Sequence, residues 1–272
     1  MKTEENGQWP QDGAGAAASA SRPIFQDVIF PDVTRDDVFR LETKRLWLRW
    51  PRLADLAAFE GFVGRAEVAE MTGSFPHPLP RGEAERRIFE ARKRNATGTG
   101  LVLAVTPLGR PNVQIGSIGL TPARVPGTAG EVELGYMLDP GHWGQGLATE
   151  AVQALLDAAF RYAAIQAVSA WTRVNNPGSR RVLEKSHFRH VGTALRDMPA
   201  RGGMLPCEEF SLGRKAWDGR WEADPAARWG KGQNMGAMRT PAHGFERGDE
   251  SKLDAGLPQG ADGAIRGGPD GV

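Results

Sequence analysis

"GHWGQGLATEA", residues 141–151, places Gly141, Gly144 and Gly146 within six positions and then enters an apolar run of helical period. Downstream, Leu147, Ala151, Leu155, Leu156, Ala159 and Phe160 recur every three or four residues, the spacing of one buried helix face. The pattern predicts a helix over 146–162. The first turn of a helix offers unpaired backbone N–H groups and the positive end of the peptide dipole. A loop without side chains at that point lets the backbone approach an anion closely, and phosphate is the natural guest. The same glycines could equally supply turn geometry alone.

Upstream, "LVLAVTPL" (101–108), "NVQIGSIGLTP" (112–122) and "EVELGYML" (131–138) read as strands joined by Gly/Pro turns, which suggests an antiparallel meander. "RLWLRW" (45–50) alternates apolar and basic residues like a half-buried strand, and helical segments follow at 52–63 and 81–95. After the glycine loop, 167–174 reads as a strand, 178–188 as a short helix, and 189–197 and 208–217 as two closing strands. A mixed sheet flanked by helices results, an α+β or α/β layered domain.

Outside this unit, residues 1–23 and the stretch from 219 on contain few large apolar side chains and no sustained period. Such segments bury too little surface to offset their ordering entropy and are expected to be disordered. The expected organisation is an N-terminal extension (1–40), one domain (41–217) and a low-complexity tail (218–272).

With 34 basic and 33 acidic residues the formal charge is +1, so nothing points to nucleic acid as a partner. Cys207 is the only cysteine, which excludes an intrachain disulfide framework and a cysteine-based zinc site and fits a reducing compartment. Glu4 and Glu5 follow Lys2, and no Leu/Ile/Val/Phe core follows them, so the start does not read as a signal peptide. No window approaches the roughly 18 apolar residues of a membrane span. A soluble, cytoplasmic protein with no membrane partner is expected.

Two familiar phosphate loops do not fit. A Walker loop requires Lys and then Ser/Thr after its last glycine, where this chain has Leu147 and Ala148. A dinucleotide fingerprint requires G-x-G-x-x-G after the first strand of a parallel unit, whereas here Gly141, Gly144 and Gly146 follow a meander.

Four segments in order resemble the GCN5-related N-acetyltransferases, and within them the branch of ribosomal-protein alanine acetyltransferases. They are "LETKRLWLR" (41–49), "EVELGYML", "HWGQGLATEA" (142–151) and "NNPGSRRVLEKSHF" (175–188). The resemblance implies a V-shaped, mostly antiparallel sheet split between 131–138 and 167–174, with acetyl-CoA as acetyl donor and no metal. It implies that the backbone amides of Gln145, Gly146, Leu147 and Ala148 hold the diphosphate, that Trp143 and Gly144 belong to the same cofactor-binding loop, that Asn176 meets the pantetheine or only shapes the turn before Pro177, and that an N–H near Met137 or Leu138 receives the oxyanion. It points to a protein N-terminus as acceptor, or a small-molecule amine such as an aminoglycoside or polyamine, attacked directly in a ternary complex. The oligomeric state is left open.

Attack requires a neutral amine, while an α-amine with pKa ~8 is largely protonated at neutral pH, so a base is required. Glu133 is the candidate: strand alternation puts Glu131, Glu133 and Gly135 on one face, and the branch carries a carboxylate there. An anchoring role for that carboxylate weighs equally. The tyrosine that many family members place seven residues after the asparagine is Leu183 here, so Ser179 is assigned to the departing thiolate, against helix capping as the alternative. Ser186 and His187 stand where the family has Leu-Gly. Arg180 and Arg181 could pair with a phosphate or form a solvated face. Phe75 and His77 could touch acceptor or pack a loop, and His187 and His190 read as packing residues rather than metal ligands. The rivals are a CoA-binding module without catalysis and an ATP-binding protein.

Overall fold

A computed structural model describes residues 29–123 and 131–223. Of the expected tails, 1–23 and the stretch from 224 on lie outside the described residues, while 219–223, expected to be disordered, end a helix (Arg214–Ala223). Eight strands form one sheet in the order β1-β2-β3-β4-β5-β6-β8-β7. They are β1 (Arg40–Glu42), β2 (Leu46–Arg49), β3 (Leu101–Pro107), β4 (Gly116–Pro122), β5 (Glu131–Leu138), β6 (Ala167–Arg173), β7 (Arg189–Met198) and β8 (Gly203–Gly213). Neighbours are antiparallel except β5 and β6, which run parallel because α4 (Leu147–Tyr162) returns the chain between them. Five more helices complete the fold: α1 (Leu56–Val63), α2 (Ala66–Met71), α3 (Glu83–Thr97), α5 (Pro177–Lys185) and α6 (Arg214–Ala223).

Helices cover both faces of the sheet centre. β3 is correspondingly apolar almost throughout, with Leu101, Leu103, Ala104 and Val105 all buried. On one face, Leu46, Leu48, Leu103, Ile118, Leu120, Val132 and Leu134 pack against Val152, Leu155, Leu156 and Phe160 of α4. Each such side chain contributes about 1.5–3 kcal/mol when fully buried. On the other, Phe59, Phe62 and Val63 of α1 meet Ala84 and Ile88 of α3 and Phe75 of the intervening loop. Met137 reaches this second cluster from β5.

Several boundaries differ from the sequence reading. The chain already packs before residue 41: Phe30 and Phe39 are buried, the amides of Ile29 and Phe30 donate to the Gly98 carbonyl, and Trp50 Nε1 donates to the Thr34 carbonyl at 3.1 Å. The last strand begins at Gly203 rather than 208, and residues 214–217, read as strand, open α6 instead. Their Trp217 is buried against Phe160, with ring centroids 5.8 Å apart. The short helix α2 was not anticipated.

A buried ion pair fixes the turn after β2. Arg49 donates twice to Asp55, at 2.8 and 2.7 Å, and Asp55 also accepts from the Arg52 amide at 2.7 Å. Both partners are nearly inaccessible, at 4% and 2%. Removing one strands the other's charge in the interior. We predict that Asp55→Ala lowers unfolding free energy by about 3–5 kcal/mol, read from the urea midpoint at unchanged slope.

Candidate active site

The parallel pairing of β5 and β6 runs from Glu131↔Ala167 to Leu134↔Ala170 and stops there. Beyond it, residues 135–138 stay on β4 and residues 171–173 stay on β8. The sheet therefore opens between two strands that are each still paired on the far side. Asp139 donates to the Ile115 carbonyl at 2.8 Å, and alternation then turns the Met137 amide and carbonyl toward β4. The backbone groups of Tyr136 and Leu138 face the opening. Of the two oxyanion donors expected, Met137 is thus engaged within the sheet, and Leu138 is the one directed into the gap. The Leu138 carbonyl is taken by Trp143 Nε1 at 2.8 Å. Gly116 permits this arrangement, since a Cβ there would meet Leu138 Cδ2 at 2.3 Å and the Met137 carbonyl at 2.5 Å.

At the mouth of the opening, Gly144 and Gly146 both adopt φ of 74°, a left-handed conformation that other residues enter at a cost. Helix α4 starts directly after them with no side-chain cap, and its first backbone bond is Glu150 N–H to the Gly146 carbonyl. Among the described residues, none of the amides of Gln145, Gly146, Leu147, Ala148 and Thr149 donates to another group. The loop is held from outside by Arg45, which donates to the Gln145 carbonyl at 2.9 Å and to Glu150 Oε2 at 2.7 Å. Glu150 Oε1 accepts from Thr43 Oγ1 at 2.6 Å and from the Arg45 amide at 2.8 Å. This bracket, 105 residues apart in sequence, carries no local pattern and was missed.

Registered partners share a face, which separates the remaining polar groups. Glu133, Ser169, Trp171 and Arg173 lie on the α1/α3 side, together with Arg196 of β7. Arg196 stacks on Trp171, 4.3 Å from the ring centroid, and donates to Glu133 Oε2. Both anticipated roles for Glu133 therefore bear on one side chain: one oxygen is anchored, and no donor reaches the other among the described residues.

Tyr136 lies on the opposite, α4/α5 side. Its hydroxyl is 2.8 Å from Ser179 Oγ and 3.1 Å from the Ser179 carbonyl. Burial pushes the phenol well above its ordinary pKa, against a smaller downward pull from Ser179. Asn176 is the N-cap of α5, its Oδ1 accepting from the Ser179 amide at 3.0 Å. Leu183, one turn beyond Ser179, is fully buried in the α4-side core.

Other expected contacts resolve into packing. Phe75 is 4% exposed and meets Phe59 edge-on, while His77 bonds the Gly64 carbonyl at 3.0 Å. Arg180 pairs with Glu184 and Glu208, and Arg181 reaches the Pro177 carbonyl at 3.2 Å. His187 and His190 contact different aromatic rings, Trp217 and Phe210. No cluster of three potential metal ligands occurs among the described residues, and none of their helices is long and apolar enough to cross a membrane.

A sequence profile of the acetyltransferase (GNAT) domain matches residues 45–189, just over half of the chain. The chain is similar to a probable N-acetyltransferase, YjcK, of Bacillus subtilis, with 39% identity over 69 residues, or 25% of this chain and 38% of the relative. An uncharacterized N-acetyltransferase, p20, of Bacillus licheniformis shares 35% over 91 residues, or 33% and 51%. The matches thus span only about two fifths to one half of these relatives' lengths. Among solved structures, the ribosomal L7/L12 α-N-protein acetyltransferase RimL, in complex with coenzyme A, superposes with a TM-score of 0.57 at 19% identity. That alignment covers 65% of this chain and 99% of RimL, a likeness of fold.

If the uncapped amides are the anion cradle, Gly146→Val replaces a relaxed left-handed glycine with a β-branched residue and displaces them. Titration calorimetry with coenzyme A should then show affinity reduced about ten- to a hundredfold, the worth of one charge-assisted bond. An unchanged dissociation constant would remove the loop from the site.

Proposed function

The chain belongs to the acetyltransferase (GNAT) domain family, and from that premise we propose that it moves an acetyl group from acetyl-CoA to a primary amine, by direct attack in a ternary complex. The observation that carries this reading is the run of unpartnered amides from Gln145 to Ala148, set beside the gap between β5 and β6. That combination suits a long, anionic, thioester-bearing donor: a diphosphate on the helix N-terminus and an amide-rich arm against a strand edge. Acetyl-CoA supplies the activated acyl group.

The protein's share of the chemistry is proton handling and charge placement. Glu133 receives the amine proton on its free oxygen while Arg196 fixes the other. The Leu138 amide, aimed into the opening, is the donor available to the oxygen on which negative charge develops. Asn176 and Ser179 hold the far edge of the opening, with Asn176 setting the start of α5 and Ser179 presenting its hydroxyl. The Trp143 indole, tied to the Leu138 carbonyl, keeps the strand end and the loop in one geometry.

The acceptor is a protein α-amine, as for the structurally similar L7/L12 α-N-protein acetyltransferase RimL, or a small-molecule amine. No nucleic acid or membrane takes part, and the domain works in the reducing cytoplasm with its single thiol, Cys207, buried in the sheet. We take the catalytic domain as 41–217, buttressed by the packed residues from Ile29 on and continued by the rest of α6.

Acetyl-CoA consumption over a panel of peptides, polyamines, aminoglycosides and amino acids tests the activity. With the best acceptor, Glu133→Gln should lower kcat/KM about a hundredfold. The deficit should shrink toward about pH 9, where an α-amine of pKa ~8 is already neutral, and coenzyme A affinity should hold. A deficit independent of pH would leave Glu133 as an anchor only.

A further inference from the structure

Ser179 is the only hydroxyl-bearing residue of α5, and its hydroxyl alone cannot choose where its proton points. Tyr136 is the partner within reach. Its side chain leaves β5 two positions past Leu134, the last residue paired with β6, on the α4/α5 side, and places its oxygen 2.8 Å from Ser179 Oγ. A phenol that burial keeps protonated is a lasting donor. When it donates to Ser179 Oγ, the serine's own O–H is left to point elsewhere. The Ser179 carbonyl, 3.1 Å from the phenol, is its second, longer acceptor and limits the ring's swing, and Asn176 limits the serine backbone. Two elements on opposite sides of the gap are thereby joined by a short polar contact.

We propose that Tyr136 is a positioning residue, which orients the Ser179 hydroxyl as a hydrogen-bond donor to the sulfur released in acetyl transfer. The inference rests on the acetyltransferase reading above. As the carbon–sulfur bond breaks, the electron pair leaves on sulfur. The Ser179 O–H steadies that thiolate without surrendering its proton. The thiolate later takes a proton from water, and the proton lost by the amine passes to Glu133 on the other face. Neither hydroxyl changes charge, so no alkoxide or buried phenolate forms.

The test reads bound ligand as well as turnover. Coenzyme A is bound to the protein and its thiol titrated by ultraviolet absorbance of the thiolate, against ligand-free protein. A donor to sulfur makes the thiol more acidic. Its acid dissociation constant should fall about tenfold in Tyr136→Phe and in Ser179→Ala, with coenzyme A affinity at neutral pH within about threefold of wild type. With acetyl-CoA, kcat should drop about ten- to a hundredfold in either variant at nearly constant KM, and the double variant should be no worse than Ser179→Ala. Tyr136→Phe removes a single oxygen. Should it fail to fold, Ser179→Ala carries the same comparison with the ring in place. Unchanged thiol acidity in the variants, or additive losses, overturns the proposal. Absence of coenzyme A binding by the wild type overturns instead the donor assignment beneath it.

Discussion

Everything at this site follows from one interruption of hydrogen bonding: β5 and β6 pair over four residues and then part. Backbone amides and carbonyls left unpaired in a half-buried place are costly unless something answers them. On the β5 side the groups concerned belong to Tyr136 and Leu138, and the indole of Trp143 answers only the Leu138 carbonyl. The rest form a strand edge inside the protein rather than at its rim, where another chain would find it. An extended ligand bearing amides can satisfy such an edge as an added strand does, while a compact ligand cannot.

The parting also fixes where an anion can sit. The chain leaves β5 at the open end and must turn into α4 within a few residues, which puts the uncapped helix N-terminus at the mouth of the gap. Glu150 in the first turn favours the helix dipole but opposes an anionic guest. Arg45 resolves this conflict: its guanidinium pairs with Glu150 and grips the Gln145 carbonyl. The helix keeps its acidic first turn and the loop amides keep an electrically neutral background. Thr43 and the Arg45 amide saturate the same carboxylate, so it has little reason to swing toward the loop.

Local patterns made much of this legible. β5 follows from strict alternation and α4 from its apolar period, and both lie within a residue of their sequence-read limits. The glycine loop was readable because left-handed backbone and close approach leave a compositional mark. Where pairing overrode local preference, reading failed: "GMLP" (203–206), with its Gly and Pro, is strand paired with β7 alone. Phe30 and Phe39 stand in short segments without a sustained period, yet both are buried, at 1% and 5% exposed. The site's polar pairs span long gaps, 43 residues for Tyr136 to Ser179 and 63 for Glu133 to Arg196, and no period encodes them. The sequence could name Glu133 and Ser179 but not their partners.

Those partners lie on opposite faces, and the separation has a physical consequence for acyl transfer. A carboxylate and a serine hydroxyl on one face within reach would bond each other, and the carboxylate would no longer be free to take a proton nor the hydroxyl to face sulfur. Here the backbone layer stands between them. Glu133 is steadied by a cation already stacked on Trp171, and Ser179 by a phenol that stays protonated. In the proposed reaction, a carbon held in the gap itself would be open to both sides, with the amine arriving past Glu133 and sulfur departing past Ser179. The split in the sheet would thus make room for the donor and keep the group assigned to remove a proton apart from the group assigned to steady the leaving charge.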